Sequence, residues 1–175
     1  MWPVDRCREC SGRRLAFVTA RAGVEYDAAV RTLVFDWKER GLRGLTALAA
    51  SIVAEVVPPP TAHLISFVPP DRDRSLQRGH HPPERLACEL GRRWELPVGA
   101  LLGRTRPLAR QRGLSQAARR RNVRGAFRAR PVSGGILLVD DVYTTGSTVG
   151  AAAAALRGAG ASRVDVVTFA RAIRT

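Results

Sequence analysis

One apolar segment that ends in two acids constrains the fold of this chain more than any other feature. Residues Gly135 to Val139 form an apolar run, Asp140 and Asp141 follow it, and a turn of Thr, Gly and Ser leads into an alanine-rich stretch that ends near Leu156. A short buried strand that feeds a helix through a tight turn is the first half of a βαβ unit. The segment therefore predicts a parallel sheet with helices on its faces.

The rest of the chain continues this alternation of strand and helix. Apolar residues at three- and four-residue spacing predict helices from Tyr26 to near Gly41 and from Leu45 to Val56. The later predicted elements are a strand at 63–68, a helix from Pro82, a strand at 97–102 and a final strand at 164–169. In this interpretation two helices precede the first strand, and residues 1–23 are an irregular lead-in. The length of 175 residues suits one domain, placed at 24–175.

The basic composition favours an anionic partner. The chain has 29 Lys and Arg residues against 15 Asp and Glu residues, which gives a net charge of +14. Such a surplus favours phosphate-rich ligands or nucleic acid. Lys38 is the only lysine, so nearly all of the positive charge is carried by arginine.

The cysteines and the apolar stretches bear on location. Three cysteines, Cys7, Cys10 and Cys88, are an odd number, and the first residues lack the apolar core of a signal peptide. We therefore expect a reduced, cytoplasmic location. The longest apolar stretch, 45–57, is too short to span a bilayer, so no membrane insertion is expected.

The turn after the acid pair has the chemistry of a phosphate site. Exposed helix N–H groups attract phosphate, and Gly146 allows the backbone to approach a ligand closely. Hydroxyl groups add further donors, from Thr144, Thr145, Ser147 and Thr148. Asp140 and Asp141 would repel the phosphate, so we expect them to face sugar hydroxyls or a divalent cation. A sugar phosphate satisfies both expectations.

This stretch resembles the phosphoribosyl pyrophosphate (PRPP) signature of the type I phosphoribosyltransferases, in which an apolar strand, two acids and a Thr/Gly loop follow one another. A second block, from Gln111 through Asn122 to Phe127, is similar to the Gln-x-x-Leu and Arg-x-x-Asn-Val-x-Gly-Ala-Phe pattern of the ComF/GntX family of late-competence proteins. Tyr26, Val30-Arg31, Lys38 and Gly41 resemble the family's pattern ahead of the first strand. The resemblance extends from about Tyr26 to Arg171.

The resemblance implies a fold, a ligand and a reaction. The fold would be the α/β sheet of a type I phosphoribosyltransferase, and the ligand would be PRPP with Mg²⁺ held through the ligand rather than in a protein cage. The candidate catalytic residues Asp140 and Asp141 would hold the ribose hydroxyls, and 144–148 the 5′-phosphate. A loop that resembles the family's pyrophosphate loop would face the leaving group, with Pro69, Arg74, Arg78 and Gly79. The reaction would transfer phosphoribosyl to an unknown acceptor.

The sequence departs from the family pattern at several positions. His80-His81-Pro82 stands where the family has Phe-Asn-Gln, and we expect both histidines to be polar loop residues rather than metal ligands. Family members commonly begin with a zinc ribbon of two Cys pairs, whereas only Cys7 and Cys10 are present here. Four ligands are needed to close a zinc site, so we interpret this pair as a remnant of a shortened ribbon. Tyr143 replaces an aliphatic residue, and Thr144 stands where hypoxanthine-type members carry an aspartate.

The segment between Glu95 and Asp140 contains no acid and is rich in arginine. It could be a solvated basic loop, a lid that neutralises a bound pyrophosphate, or a stripe that follows a nucleic-acid backbone. The candidate lid or nucleic-acid contacts are Gln111, Arg119, Arg120, Arg121 and Asn122.

Three functional hypotheses follow. The first is a phosphoribosyltransferase, the second a PRPP or nucleotide sensor without turnover. The third is an accessory factor for the uptake of single-stranded DNA in competence, with a helicase as a potential partner.

Overall fold

The computed structural model describes residues 15–42, 44–70, 80–105, 123 and 125–173. Within these residues the elements follow one another as strands and helices in an α/β arrangement. They are β1 (Ala20–Glu25), α1 (Ala28–Glu39), α2 (Leu45–Val56), β2 (Leu64–Phe67), α3 (Pro82–Trp94), β3 (Leu102–Arg104), β4 (Phe127–Ala129), β5 (Gly135–Tyr143), α4 (Ser147–Gly158) and β6 (Arg163–Arg171).

Four strands form the main sheet, in the order β1-β6-β5-β2, and all neighbours are parallel. The register places Leu138 of β5 opposite Val166 of β6 and Ser66 of β2. β3 and β4 pair separately as a small antiparallel sheet. The predicted α/β class, with a parallel sheet flanked by helices, is confirmed.

Alternation along β5 divides the core into two clusters. Leu137 and Val139 pack in the cluster that α1, α2 and α3 contribute to, whereas Ile136 and Leu138 pack with α4 on the opposite face. Successive side chains of a strand point to opposite faces, so the two acids that follow Val139 must also diverge. This alternation positions the candidate site.

Most of the predicted elements are confirmed, and two expectations are wrong. Residues 20–23 belong to β1, so the lead-in at 1–23 is not irregular throughout and a strand precedes the two helices. β1 is an edge strand that pairs only with β6 among the described elements. Its residues are mostly half-buried, so apolar and polar side chains do not alternate clearly along it. Residues 1–14, with Cys7 and Cys10, lie outside the described residues, so the zinc-ribbon interpretation stays a prediction.

The strand expected at 97–102 is also wrong in its bounds. Only Val98 forms a bridge to Ile65 of β2, and Gly99 N–H donates to the Ile65 carbonyl at 2.9 Å. The chain then leaves the main sheet, and Leu102 begins β3 in the small antiparallel sheet. The apolar run at 97–102 therefore contributes a bridge to the main sheet at Val98 and then the first residue of β3 at Leu102.

Candidate functional site

The acid pair lies at the carboxyl end of β5 and its two side chains point in different directions. Asp140 is buried, with 8% of its surface exposed, and it lines an open cavity beside the first turn of α4. Its Oδ1 accepts a hydrogen bond from the Asp141 N–H at 2.9 Å. Asp141 points to the other face of the sheet, toward α1. One acid thus faces the hydroxyl turn and the other faces helix α1.

Asp141 forms an ion pair that the sequence did not predict. Its Oδ2 lies 2.7 Å from Nζ of Lys38, in the last turn of α1. Both side chains are largely withdrawn from solvent. The pair links α1 to the carboxyl end of β5. It also places a positive charge at the candidate site.

The environment of the acid pair changes the ionisation of Asp140. Burial, and then the negative charge of Asp141, raise the pKa of Asp140 to about 7, while Lys38 and the Asp141 N–H act in the opposite direction. Two adjacent carboxylates with little solvent cannot both ionise readily. Asp140 is therefore poised to gain or lose a proton near neutral pH, and a cation beside the pair would favour its ionised form.

The turn between the acids and α4 has the shape of an anion site. Gly146 is the N-cap residue of α4, with φ of 68°, and it has no side chain that could accept a hydrogen bond from the first turn. The hydroxyls of Thr145 and Ser147 lie 2.9 Å apart, and the Ser147 N–H donates to Thr145 Oγ1 at 3.4 Å. Thr144 is exposed and Thr148 is half-buried. Asp140, Thr144, Gly146, Ser147 and Thr148 line the same open cavity.

Tyr143 supports the turn from below. It is buried, makes an edge contact with Phe17 at 6.5 Å between ring centroids, and carries the guanidinium of Arg171 5.1 Å from its ring centre. A Cβ at Gly146 would collide with the phenol oxygen. The aromatic residue that departs from the family pattern is thus part of the floor of the cavity.

The end of β2 is fixed by Arg104, which belongs to the acid-free basic segment between Glu95 and Asp140. Arg104 Nε donates to the carbonyl oxygens of Pro69 at 3.1 Å and Pro70 at 3.0 Å, and its guanidinium lies 5.1 Å from the ring centre of Phe127. Pro69 is therefore at the predicted edge of the sheet. Arg74, Arg78 and Gly79 lie outside the described residues, as do Gln111, Arg119, Arg120, Arg121 and Asn122.

His80 and His81 lie in the loop just before α3, as expected, and the structure adds that both are largely withdrawn from solvent. Nε2 of His80 lies 2.7 Å from the Trp37 carbonyl oxygen, and since a carbonyl can only accept, this nitrogen carries the proton. His81 packs edge-on against Phe67 and lies 3.7 Å from a Glu84 oxygen. Burial above all lowers the pKa of His81 to about 4, with Asp141 opposing and Arg104, Lys38 and His80 reinforcing the shift.

No metal cage is formed by the part of the chain that the structure describes. Among those residues no group of three or more His, Cys, Asp or Glu side chains is arranged to hold a metal ion. No described helix has the length and apolar character needed to cross a membrane.

Curated relatives support the sequence resemblance. The DNA utilization protein YhgH of Escherichia coli is 38% identical over 115 residues, which are 62% of this chain and 49% of that protein. Competence protein F of Haemophilus influenzae is 32% identical over 143 residues, which are 78% of this chain and 62% of that protein. The resemblance to the ComF family is confirmed. This ComF-like chain spans about half to three fifths of the length of these relatives.

Solved structures with a similar arrangement include two enzymes. The allosteric regulatory enzyme of purine biosynthesis matches with a TM-score of 0.47 and 24% identity, over 70% of this ComF-like chain and 24% of that enzyme. The glutamine PRPP amidotransferase of B. subtilis matches with a TM-score of 0.46 and 25% identity, over 72% and 25% of the two chains. No family model matches the chain.

Proposed function

We propose that this ComF-like chain is a PRPP-binding phosphoribosyltransferase-like protein that transfers phosphoribosyl to an acceptor and releases pyrophosphate. One observation carries the proposal: Asp140 and the hydroxyl turn line a single cavity at the carboxyl end of β5. Open parallel sheets bind ligands at this edge. The cavity combines acceptors for sugar hydroxyls with donors for a phosphate, as the sequence motif requires. We also expect this protein to act in the cytoplasm.

The turn supplies the phosphate contacts in this proposal. Ser147 and Thr148, in the first turn of α4, line the cavity, and the buried Thr145 hydroxyl lies 2.9 Å from that of Ser147. Amide dipoles at a helix N-terminus favour a negative charge, and hydroxyl donors can rotate toward it. We assign the 5′-phosphate to this surface, with Thr144 and Thr148 at its rim.

The acid pair supplies the acceptors for the ribose. In the described residues one oxygen of each carboxylate is engaged, Asp140 Oδ1 with a backbone N–H and Asp141 Oδ2 with Lys38. Of the remaining oxygens, we assign Asp140 Oδ2, on the cavity side, directly to a ribose hydroxyl. We assign Asp141 Oδ1, whose side chain faces α1, to the ribose hydroxyls through water bound to Mg²⁺. Negative charge beside the ribose ring would also stabilise a cationic anomeric carbon.

Mg²⁺ fits this donor set as an ion shared with the ligand. Burial and mutual repulsion raise the pKa of Asp140, which is the situation that a nearby cation relieves. Mg²⁺ is usually bound in proteins by one or two carboxylates, with water and phosphate oxygens in its other coordination positions. The acid pair fits that arrangement. When bound, the ion would neutralise charge on the leaving pyrophosphate.

The reaction would break the bond between the anomeric carbon and the pyrophosphate oxygen. The electron pair of that bond leaves with pyrophosphate, and the acceptor donates the pair that forms the new bond to the anomeric carbon. By family resemblance, Pro69 and the loop with Arg74, Arg78 and Gly79 would face the pyrophosphate. Of this loop, the structure describes Pro69, held by Arg104.

Calorimetry with PRPP tests this proposal, first with and then without Mg²⁺. We expect saturable binding that competes with ribose 5-phosphate. A panel of nucleobases and amines, with pyrophosphate release as the signal, would then identify the acceptor. Binding without release for any acceptor would favour the sensor over the transferase, and absence of PRPP binding would reject both.

A second candidate function is a DNA contact. Two relatives are named a DNA utilization protein and a competence protein. Arg128 and Arg130 on and after β4 are exposed and border the arginine-rich segment 106–122. This favours a phosphate-backbone contact, with a helicase as one potential partner.

Salt dependence tests the DNA contact. Affinity for single strands should fall with salt with a slope of about −0.7 per phosphate neutralised. Arg119, Arg120 and Arg121 replaced together by Ala should flatten that slope by about two units and leave PRPP binding intact. Arg92→Gln, exposed on α3, serves as the control. Loss of PRPP affinity in the triple variant would instead identify the segment as a lid.

A further inference from the structure

The ion pair between Lys38 and Asp141 differs from the surface pairs of this molecule. The exposed fractions of its side chains are 27% and 14%, whereas the Arg40 side chain in the pair with Asp36 is 68% exposed. Exposed ion pairs contribute little to stability because water screens their charges, whereas an ion pair that is withdrawn from solvent is screened less. Lys38 is also the only lysine of the chain. Its contact with the candidate site is therefore a specific feature and not part of the general basic surface.

The backbone next to Lys38 is held in place from three sides. The Trp37 carbonyl accepts the hydrogen bond from His80, and the Trp37 indole N–H donates to Thr46 Oγ1 at 3.0 Å. The indole ring is fully buried and meets Phe169 edge-on, with ring centroids 5.9 Å apart. Contacts from α2, β6 and the start of α3 thus fix the last turn of α1. The flexible lysine side chain begins from a rigid base beside the acid pair.

A bare pair of adjacent carboxylates would recruit a divalent cation from solution. Here the ammonium group already occupies Asp141 Oδ2 at 2.7 Å. A divalent cation on the same carboxylate would lie within a few ångströms of that ammonium, where like charges in a partly buried site repel. The ammonium and the metal ion therefore cannot both bind Asp141 at full strength.

We propose that Lys38 is the resident counter-ion of the acid pair and that a divalent cation must displace it from Asp141. The inference deepens the proposed function and rests on it only for the identity of the anionic ligand. Free cation then binds the ligand-free protein weakly. The cation binds the site together with a sugar phosphate, whose phosphate oxygens supply further ligands, and the displaced Lys38 side chain is released toward solvent.

Manganese binding to the ligand-free chain tests the displacement. Mn²⁺ affinity is measured by calorimetry or by the electron paramagnetic resonance of free Mn²⁺, on the parent chain, Lys38→Met and Arg40→Met. Lys38→Met removes the charge but keeps an unbranched side chain, and we expect it to bind Mn²⁺ about tenfold more tightly or better. Arg40→Met, at the C-cap of the same helix, should match the parent. A folded Lys38→Met chain that gains no Mn²⁺ affinity overturns the proposal.

The parent chain provides a second measurement that does not depend on a variant folding. Because Lys38 is the only lysine, acetylation by an amine-selective reagent reports on it alone, in the tryptic peptide that ends at Arg40. The rate should rise several-fold when Mn²⁺ and PRPP saturate the site, with the chain's α-amino group as internal reference. A constant rate under conditions where Mn²⁺ binds would contradict displacement.

The two tests separate this inference from the proposed function. If PRPP does not bind but Lys38→Met gains Mn²⁺ affinity, the sugar-phosphate assignment fails and the counter-ion assignment stands. In the opposite outcome, PRPP binds with the same metal dependence in the parent and in Lys38→Met. If Lys38→Met then also shows the Mn²⁺ affinity of the parent, and the acetylation rate of Lys38 in the parent does not change on ligand binding, the counter-ion assignment fails while the proposed function stands.

Discussion

The Cα of Gly146 lies against the phenol of Tyr143, so close that a Cβ at position 146 would overlap the phenol oxygen. The same glycine has a φ of 68°, in the region that side chains rarely adopt. Shape and backbone conformation therefore both require glycine at the start of α4. Because Tyr143 is itself buried, it cannot move aside at low cost. This contact sets the shape of the turn that faces the cavity.

Gly146→Ala should consequently damage the turn. The positive φ alone costs about 1 kcal/mol, and the collision with Tyr143 adds to it. We expect a lower melting temperature and loss of phosphate or PRPP binding. The matched control is Gly150→Ala in the same helix, where a Cβ meets nothing within 4 Å. That variant should gain about 0.5–1 kcal/mol and keep its ligand affinity. Equal effects of the two substitutions on binding would show that the turn is not the site.

The paired hydroxyls of Thr145 and Ser147 give a second prediction. Ser147→Ala removes one donor and leaves Thr145 Oγ1 without its partner at 2.9 Å. If the pair faces a 5′-phosphate, affinity for ribose 5-phosphate should fall by about tenfold, the effect of one charge-assisted hydrogen bond. Affinity for pyrophosphate, which lacks the sugar, should change less. A parallel loss for both ligands would show that the turn binds either anion alike, and would contradict its assignment to the 5′-phosphate.

The raised pKa of Asp140 predicts a pH-dependent stability. The carboxyl ionises near 3.8 in an unfolded chain but near 7 in the fold, because burial and the charge of Asp141 oppose ionisation. The folded state therefore holds a proton that the unfolded state has lost between these values, and Asp140's contribution to stability declines as pH rises through that window. Asp140→Asn cannot titrate. Its melting temperature minus that of the parent should be more positive at about pH 8 than at about pH 4.

His81 acts with the opposite sign in an overlapping range. Its pKa is lowered from 6.5 to about 4, chiefly by burial, so its contribution to stability is present above 6.5 and is lost as pH falls toward 4. The pH profile of the parent chain alone would mix the two groups. The difference between Asp140→Asn and the parent isolates Asp140, and a difference that stays constant with pH would refute the assignment.

A stability control lies at the opposite end of the sheet. The Thr19 hydroxyl donates to Asp165 Oδ1 at 2.6 Å and the Thr19 N–H donates to the same oxygen at 3.2 Å, while Arg163 donates to Asp165 as well. Thr19→Val removes the hydroxyl bond to a charged acceptor and should cost about 1.5–3 kcal/mol in the free energy of unfolding. PRPP affinity should not change, because Asp165 is near the amino end of β6. A loss of affinity in chains that remain folded would show that global stability, not the site, controls binding.

The sequence predicted the parts of this site that are local in the chain. β5, the turn and α4 follow one another over residues 135–158, so periodicity and turn chemistry were sufficient. The pairing of Lys38 with Asp141 spans 103 positions and depends on how α1 packs across the sheet, which no local pattern encodes. The only signal was that the chain's single lysine stands in a family-like Lys-x-x-Gly pattern. β1 was missed because an edge strand alternates weakly, and the burial of His80 depends on a distant carbonyl.

The most direct test of the central claim is the affinity of Asp141→Asn for PRPP by calorimetry, beside Asp36→Asn on α1 as the control. If the acid pair holds the ribose hydroxyls, Asp141→Asn should bind PRPP at least about tenfold more weakly, whereas inorganic phosphate, which has no hydroxyls to offer, should bind as well or better. Asp36→Asn should match the parent for both ligands. Unchanged PRPP affinity in a folded Asp141→Asn chain would contradict the account.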